Sequence, residues 1–283
     1  MARLKFFGVR GSHPTPGKDN SKFGGNTSCA VLYSDADVAG EFPIILDLGT
    51  GLTCFADSQP LDGSFHGIAL LTHLHFDHIQ GLPFFTPIDR KNARLVIYGP
   101  NEDGVSLADS LNTLIGPPFF PVTLADLRGD IVVESILVEE IKLDQPGSPT
   151  IYSRAVDHTN ATFGFRIQVD DRVIAYVPDH QAPLDNATVS DSVLELCRDA
   201  DLLIHDAQYT RKEFSGKPHW GHSTYDFALS VATKSNAKTL AFFHHDPRRS
   251  DIELGEIEES YRNSSSPAGL RIFAAREGKT LEI

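Results

Sequence analysis

Within the stretch Thr72-His73-Leu74-His75-Phe76-Asp77-His78, four side chains can each offer a lone pair to a metal. Neutral imidazole and carboxylate are the donor set of zinc and similar divalent ions. The residues before them, Ile68 to Thr72, form a short apolar run of the kind that reads as a buried strand. A loop leaving such a strand can turn His73 and His75 toward one point while Asp77 and His78 aim at a neighbouring one. The bland alternative is four polar residues on a solvated loop, and their order directly behind a buried strand argues against it. Two ions so placed would each lower the pKa of bound water toward ~7, which is hydrolytic chemistry.

At this point the chain resembles the metallo-β-lactamase superfamily, whose signature is His-x-His-x-Asp-His, and the resemblance runs over nearly its whole length. Leu46-Asp47-Leu48-Gly49-Thr50-Gly51 is similar to the family's early strand-ending Asp and glycine turn. His158 in Val156-Asp157-His158-Thr159 matches the third ligand motif. Asp179 in Tyr176-Val177-Pro178-Asp179 matches the carboxylate that bridges two metals. His244 in Phe242-Phe243-His244-His245-Asp246-Pro247 matches the last histidine, although strand alternation could present either His244 or His245 inward. The resemblance implies two divalent ions, with His73, His75 and His158 on one, Asp77, His78 and His244 on the other, and Asp179 joining them. Zinc is the first choice, with manganese or iron accepted by the same donors.

A second group of residues bears on the substrate. His205-Asp206-Ala207-Gln208-Tyr209 and Trp220-Gly221-His222-Ser223-Thr224 resemble elements of ribonuclease Z and related phosphodiesterases. The resemblance implies that His222 approaches the scissile phosphate and that Asp206 orients it; their plainer readings are a residue at a helix start and a buried strand-end carboxylate. Asp77, His222 and Asp206 are therefore the candidate catalytic residues. The departures matter as well. Ribonuclease Z carries a long arm for transfer RNA, commonly between the third ligand and the bridging Asp, whereas here a hairpin uses up that interval. Asp206 also stands where ribonuclease Z has Glu, with a shorter reach. Phe7-Gly8-Val9-Arg10-Gly11-Ser12 and Gly24-Gly25-Asn26-Thr27-Ser28 are similar to the opening of small phosphodiesterase-like members, so Arg10 or Asn26 could touch substrate or simply brace a loop. His13, His66, His180 and His219 are left to the surface or to the surroundings of the site.

These residues need elements to position them. Leu4 to Val9, Ser28 to Tyr33 and Pro43 to Asp47 read as strands before the ligand loop. Ser106 to Ile115 reads as a helix stopped by Gly116 and two prolines, and residues 116–122 (G-P-P-F-F-P-V) suit a stiff apolar loop, either a lid or a loop packed on the core. Phe163 to Val169 and Arg172 to Val177 alternate around Asp170-Asp171 as a hairpin. Leu202 to Ile204 and Leu240 to Phe243 read as buried strands. Ser223 to Ala232 reads as a helix capped by Ser223 with Asp226, and Ser250 to Tyr261 as one capped by Ser250 with Glu253. Strands alternating with helices in two similar halves predict an α/β fold, the four-layer αβ/βα sandwich of two packed mixed sheets, as a single domain over residues 1–283.

Bulk properties narrow the functions. A formal charge of −13 disfavours a long nucleic-acid footprint, which needs a basic stripe. It does not exclude a small anionic substrate, because two divalent ions add about four local positive charges. The three cysteines, Cys29, Cys54 and Cys197, are widely spaced and odd in number, and read as reduced core thiols of a cytoplasmic protein. No window suits a membrane span or a signal peptide. The reading is a metal-dependent hydrolase of a small phosphodiester, such as a cyclic or short nucleotide, by attack of a hydroxide generated at the metals. The resemblance makes a homodimer a common state. The competing readings are a hydrolase of a carboxylic ester, lactone or thioester on the same scaffold, and a metal-stabilised nucleotide-sensing module without turnover. Diiron redox chemistry would need a flavin partner domain, and the sequence has none.

Overall fold

The computed structural model describes residues 2–34, 42–59, 65–137, 140, 141, 143, 149–264 and 269–283. In chain order the first half gives β1 (Arg3–Gly8), β2 (Cys29–Tyr33), β3 (Ile44–Leu46), β4 (His66–Leu70), β5 (Arg94–Pro100) and β6 (Asp130–Ile136). The second half gives β7 (Glu140–Ile141), β8 (Thr150–Ala155), β9 (Phe163–Val169), β10 (Arg172–Val177), β11 (Leu202–Asp206), β12 (Thr239–Phe243) and β13 (Arg271–Ala274), and the chain closes with β14 (Thr280–Glu282). The helices are α1 (Gly51–Ala56), α2 (Phe76–Ile79), α3 (Leu107–Leu114), α4 (Asp191–Cys197), α5 (Arg211–Phe214), α6 (Tyr225–Lys234) and α7 (Asp251–Ser264).

The strands form two mixed sheets, β14-β1-β2-β3-β4-β5-β6 and β13-β12-β11-β10-β9-β8-β7. Their inner faces share one apolar layer, to which Phe6, Leu46, Ile68 and Leu70 come from the first sheet and Ile151, Phe165, Ile174, Tyr176, Ile204 and Phe243 from the second. Alternate residues of the same strands face outward. Ile45, Ala69 and Ile97 pack against Leu52, Phe55, Leu107 and Leu111 of α1 and α3. Ala175, Leu203 and Phe242 pack against Val193, Leu196, Phe227 and Val231 of α4 and α6. Central strands buried on both faces have no polar side to show, so β4 and β12 read as continuous apolar runs. Each buried Leu, Ile or Phe contributes roughly 1.5–3 kcal/mol. The four-layer α/β sandwich is the architecture the sequence implies.

The hairpin β9–β10 has the boundaries that its alternation predicts, with Asp170 at positive φ in the turn. Ser106 caps α3 by accepting from the Asp109 amide (3.1 Å), and Ser250 and Glu253 exchange hydrogen bonds at the start of α7. Two expectations need correction. The cap of α6 is Thr224, whose hydroxyl accepts from the Phe227 amide (3.0 Å), not Ser223. Ser223 is turned inward to donate to the His180 carbonyl, and Asp226 accepts from the Tyr261 hydroxyl (2.7 Å) instead of closing a capping box. Cys29 and Cys197 are buried, but Cys54 is exposed. It lies on the face of α1 opposite Leu52, Phe55 and Ala56, the residues that face the core.

Candidate metal centre

Five strand ends meet at one edge of the sandwich. Asp47 follows β3, His73 follows β4, Asp179 follows β10, Asp206 ends β11 and His244 follows β12. β3 and β4 are parallel in one sheet, as are β10, β11 and β12 in the other, so their carboxyl ends deliver side chains to a common crevice. His75 starts α2, which carries Asp77 and His78, and His158 comes from the β8–β9 connection.

Donor atoms of His73, His75 and His158 lie within 4.8 Å of one another, as do those of Asp77, His78 and His244, and those of His73, His78 and Asp179. His75 Nδ1 and His158 Nε2 are 3.2 Å apart, and the Nε2 atoms of His78 and His244 are 3.3 Å apart. Asp179 spans the two groups, with Oδ2 3.0 Å from His78 Nε2 and 3.4 Å from His244 Nε2, and Oδ1 3.8 Å from His158 Nε2. All seven residues singled out by the sequence are thus brought together.

The far side of each ring shows which nitrogen carries the proton. His78 Nδ1 donates to Asp47 Oδ2 (2.8 Å), His158 Nδ1 to the Gly221 carbonyl (2.6 Å) and His244 Nδ1 to Gln208 Oε1 (2.8 Å). His73 Nδ1 donates to the Thr72 hydroxyl (3.0 Å), which itself donates to Asp47. With that proton committed, each of these rings turns Nε2 inward, the nitrogen that would offer its lone pair to a metal, the outer-shell pattern of metal-binding histidines. His73 Nε2 and both oxygens of Asp179 are buried without a hydrogen-bonding partner, despite the close approach of His78. A buried carboxylate left so costs several kcal/mol unless a cation meets it. Among the described residues, the only cationic groups within ion-pair reach of Asp77 and Asp179 are histidines. The donor set and its orphaned atoms therefore fit a pair of divalent cations.

The electrostatics divide the cluster. Burial, reinforced by neighbouring imidazoles, holds His75 down at about 4 and His73 well below the usual range. Burial also lowers His158. At His78 and His244 burial pulls the same way, but Asp179 and Asp77 outweigh it and raise both. Burial alone would raise Asp179, yet His244, His78 and His73 hold it well below the carboxylate range. One half is a set of neutral donors; the other is a set of carboxylates drawing positive charge.

Beside the cluster, His222 Nδ1 donates to Asp206 Oδ2 (3.1 Å) and lies 3.5 Å from Asp179 Oδ1. Its ring stacks on His244 at 4.9 Å. Asp206 also accepts from the amides of His180 (3.1 Å) and Gln208 (3.0 Å), so the shorter side chain still makes the pairing. His244 faces the cluster, whereas His245 points away and donates to the Ala275 carbonyl (2.9 Å). A left-handed φ of 57° at His244 turns the two neighbours to opposite sides. Arg10 does not reach a substrate. It is fully buried and donates to the carbonyls of Gly24 (2.7 Å), Asp246 (3.2 Å) and Arg249 (2.7 Å), bracing the loops. Asn26 is likewise occupied by Glu277 (3.1 Å). His13, His66 and His219 are exposed, and His180 is buried against His205 (3.0 Å). Residues 116–122 lie in turns. Phe119 and Phe120 border an apolar cavity of about 340 Å³ beside the ligand loop, shared with Phe76 and Phe84.

Sequence reading passed over several supporting groups. Tyr176 donates to Asp47 Oδ2 (2.9 Å) and the Ser12 amide to Asp77 Oδ2 (2.7 Å), while Gln208 holds His244. Tyr176 and Gln208 sit inside motifs already singled out, which is the signal that could have drawn attention to them.

A ribonuclease Z of Natronomonas pharaonis is 24% identical over 99% of this chain and 97% of its own. Among solved structures, the metallo-β-lactamase fold protein YhfI from Bacillus subtilis superposes with a TM-score of 0.72 at 18% identity, covering 100% of this chain and 99% of that one. Human short-form tRNase Z gives a TM-score of 0.71 at 22% identity, covering 99% of both chains. The family model described as the beta-lactamase superfamily domain matches residues 55–245. A match over more than half of the chain establishes the kinship to which the fold and its converging histidines point: the protein belongs to the metallo-β-lactamase superfamily.

Proposed function

We propose that the protein is a dinuclear, metal-dependent phosphodiesterase acting on a small phosphodiester. The observation that carries this reading is the His222–Asp206 pair set against the metal-fitting cluster, 3.5 Å from Asp179. His73, His75 and His158 would hold one ion, Asp77, His78 and His244 the other, and Asp179 both; zinc is the ion we assign. Bound there, the ions supply Lewis acidity and a water acidic enough to attack at neutral pH.

The chain's own residues supply the rest. Asp206 fixes the Nδ1 proton of His222, so Nε2 is the atom that carries a proton to the oxygen leaving phosphorus. In that role the ring starts as the imidazolium, whose charge Asp206 stabilises, and is left neutral with its Nδ1–H still on Asp206 once the Nε2 proton has gone to the leaving oxygen. The Ser12 amide steadies Asp77 at the edge of the cluster (2.7 Å). The relatives named ribonuclease Z support the phosphodiester class. The short hairpin between His158 and Asp179, with no arm inserted, and the net charge of −13 support a small substrate over a long RNA.

The test is a panel of cyclic nucleotides, short oligonucleotides and bis-p-nitrophenyl phosphate against p-nitrophenyl acetate and a lactone, each with zinc, manganese or metal-free protein. Metal-dependent phosphodiester cleavage is expected, and His222→Ala should keep its metal while losing about 10²–10⁴ in rate. Preference for the ester or lactone contradicts the substrate class; full-rate cleavage by His222→Ala contradicts the proton-donor role.

A further inference from the structure

Trp220 is the chain's one tryptophan, and 61% of it faces solvent two residues before His222. Scattered exposed apolar residues are ordinary on a protein surface, so exposure by itself says little. The placement of this one is tightly fixed. The Trp220 amide donates to the Lys217 carbonyl (3.3 Å), and the next amide, of Gly221, donates to Gln181 Oε1 (2.7 Å). The Gly221 carbonyl accepts from His158 Nδ1 (2.6 Å), and Gly221 has a φ of +88°. A Cβ at Gly221 would come within 2.5 Å of the His158 ring, so only glycine lets this backbone lie against it. The glycine that follows the indole is thus bonded directly to a residue of the cluster.

The side-chain surroundings lead to the same place. Lys217 Nζ stands 5.2 Å from the Trp220 ring and 4.4 Å from the Tyr209 ring. Tyr209 is buried, and its ring meets His222 edge-on at 5.8 Å. Trp220, Lys217, Tyr209 and His222 therefore form a continuous run from the rim to the proton donor. An indole with a lysine ammonium over its ring, that ammonium also paired with Asp246 (3.6 Å), presents a flat face at the mouth of a site for a phosphodiester to whatever the phosphate carries. Nucleobases stack on such platforms largely irrespective of their identity.

We propose that Trp220, with Lys217 over its ring, is the stacking subsite for a nucleobase attached to the scissile phosphate, so the substrates are nucleobase-bearing phosphodiesters rather than alkyl or glycerol diesters. This rests on the phosphodiesterase reading and narrows its substrate class. The single tryptophan makes the emission excited at 295 nm a direct report on the subsite. Titrating the metal-loaded protein with AMP should quench or shift that emission, and ribose 5-phosphate, with its phosphate and sugar but no base, should not. In parallel, kcat/KM is measured for a dinucleotide and for glycerophosphoethanolamine. Trp220→Ala should lower the ratio of the two by about 5- to 150-fold, chiefly through KM for the dinucleotide, and Trp220→Phe should restore most of it. An unchanged ratio, or equal quenching by AMP and ribose 5-phosphate, overturns the stacking subsite. Failure of the wild type to cleave either diester overturns the phosphodiesterase reading instead, and the titration then still decides whether the indole binds a base.

Discussion

Asp47 shows how much of the candidate centre is set by residues that touch no substrate. Its two oxygens accept from the Thr72 amide (2.8 Å), the Thr72 hydroxyl (3.0 Å), His78 Nδ1 (2.8 Å) and the Tyr176 hydroxyl (2.9 Å). It does so from a left-handed backbone with φ 59°, a conformation that Asp tolerates better than most residues. Tyr176 belongs to the opposite sheet, so one hydroxyl ties the second half of the chain to the ring orientation of His78. Tyr176→Phe leaves the packing volume nearly unchanged and removes one donor from a buried carboxylate. It should cost roughly 1–3 kcal/mol in urea denaturation and weaken metal retention against a chelator about tenfold. Retention equal to the wild type would mean that Asp47 holds His78 without this help. The donors His73, His75, Asp77 and His78 were legible because their types and spacing are local. Tyr176 and Gln208 were not, because a phenol and an amide gain their roles only when distant strands meet. For Arg10 the sequence leaves substrate contact and loop bracing both open for a related reason: the carbonyl partners that decide for bracing, Asp246 and Arg249, lie more than 200 residues away in the chain.

At the scale of elements, the connection from Gly221 to Thr224 has two tasks, carrying His222 and starting α6. Thr224 has an extended backbone (φ −96°, ψ 159°), and its hydroxyl accepts from the Phe227 amide while donating to Asn186 Oδ1 (2.8 Å). Ser223 is spent on the His180 carbonyl, next to Asp179. Thr224→Ala should destabilise the fold by about 1 kcal/mol, read as a lower urea midpoint at unchanged slope. No loss would show that the helix start is held by its packing alone. The helix itself was legible from its apolar period, but not which of two adjacent hydroxyl residues caps it, since the choice depends on where the neighbouring carbonyl sits. The hairpin β9–β10 was read to the residue because alternation and the Asp170-Asp171 turn are both local signals. Strands β5 and β6 were not read: Arg94–Pro100 and Asp130–Ile136 pair with each other in parallel across more than thirty residues, a partnership no short window displays.

Across the molecule, the two sheets divide the labour. The first contributes His73, His75, Asp77 and His78 from around one strand end, and the second contributes His158, Asp179, Asp206, His222 and His244 from several. The centre therefore exists only when the sheets pack face to face across the layer that holds Phe6, Tyr176 and Phe243. The four-layer architecture was legible from strands alternating with helices, and the family resemblance extended it to the seven candidate donors that converge at the crevice. The carboxylates that the fold buries there, with only histidines for cationic company among the described residues, are the physical reason to expect bound cations. The most direct test is metal content by elemental analysis, with anomalous diffraction to place the ions, on protein dialysed against zinc. Two ions per chain are predicted, between His73, His75 and His158 on one side and Asp77, His78 and His244 on the other, with a clear loss in His75→Ala. A folded protein that holds no ion among those side chains, or a His75→Ala variant with undiminished metal, would contradict the account.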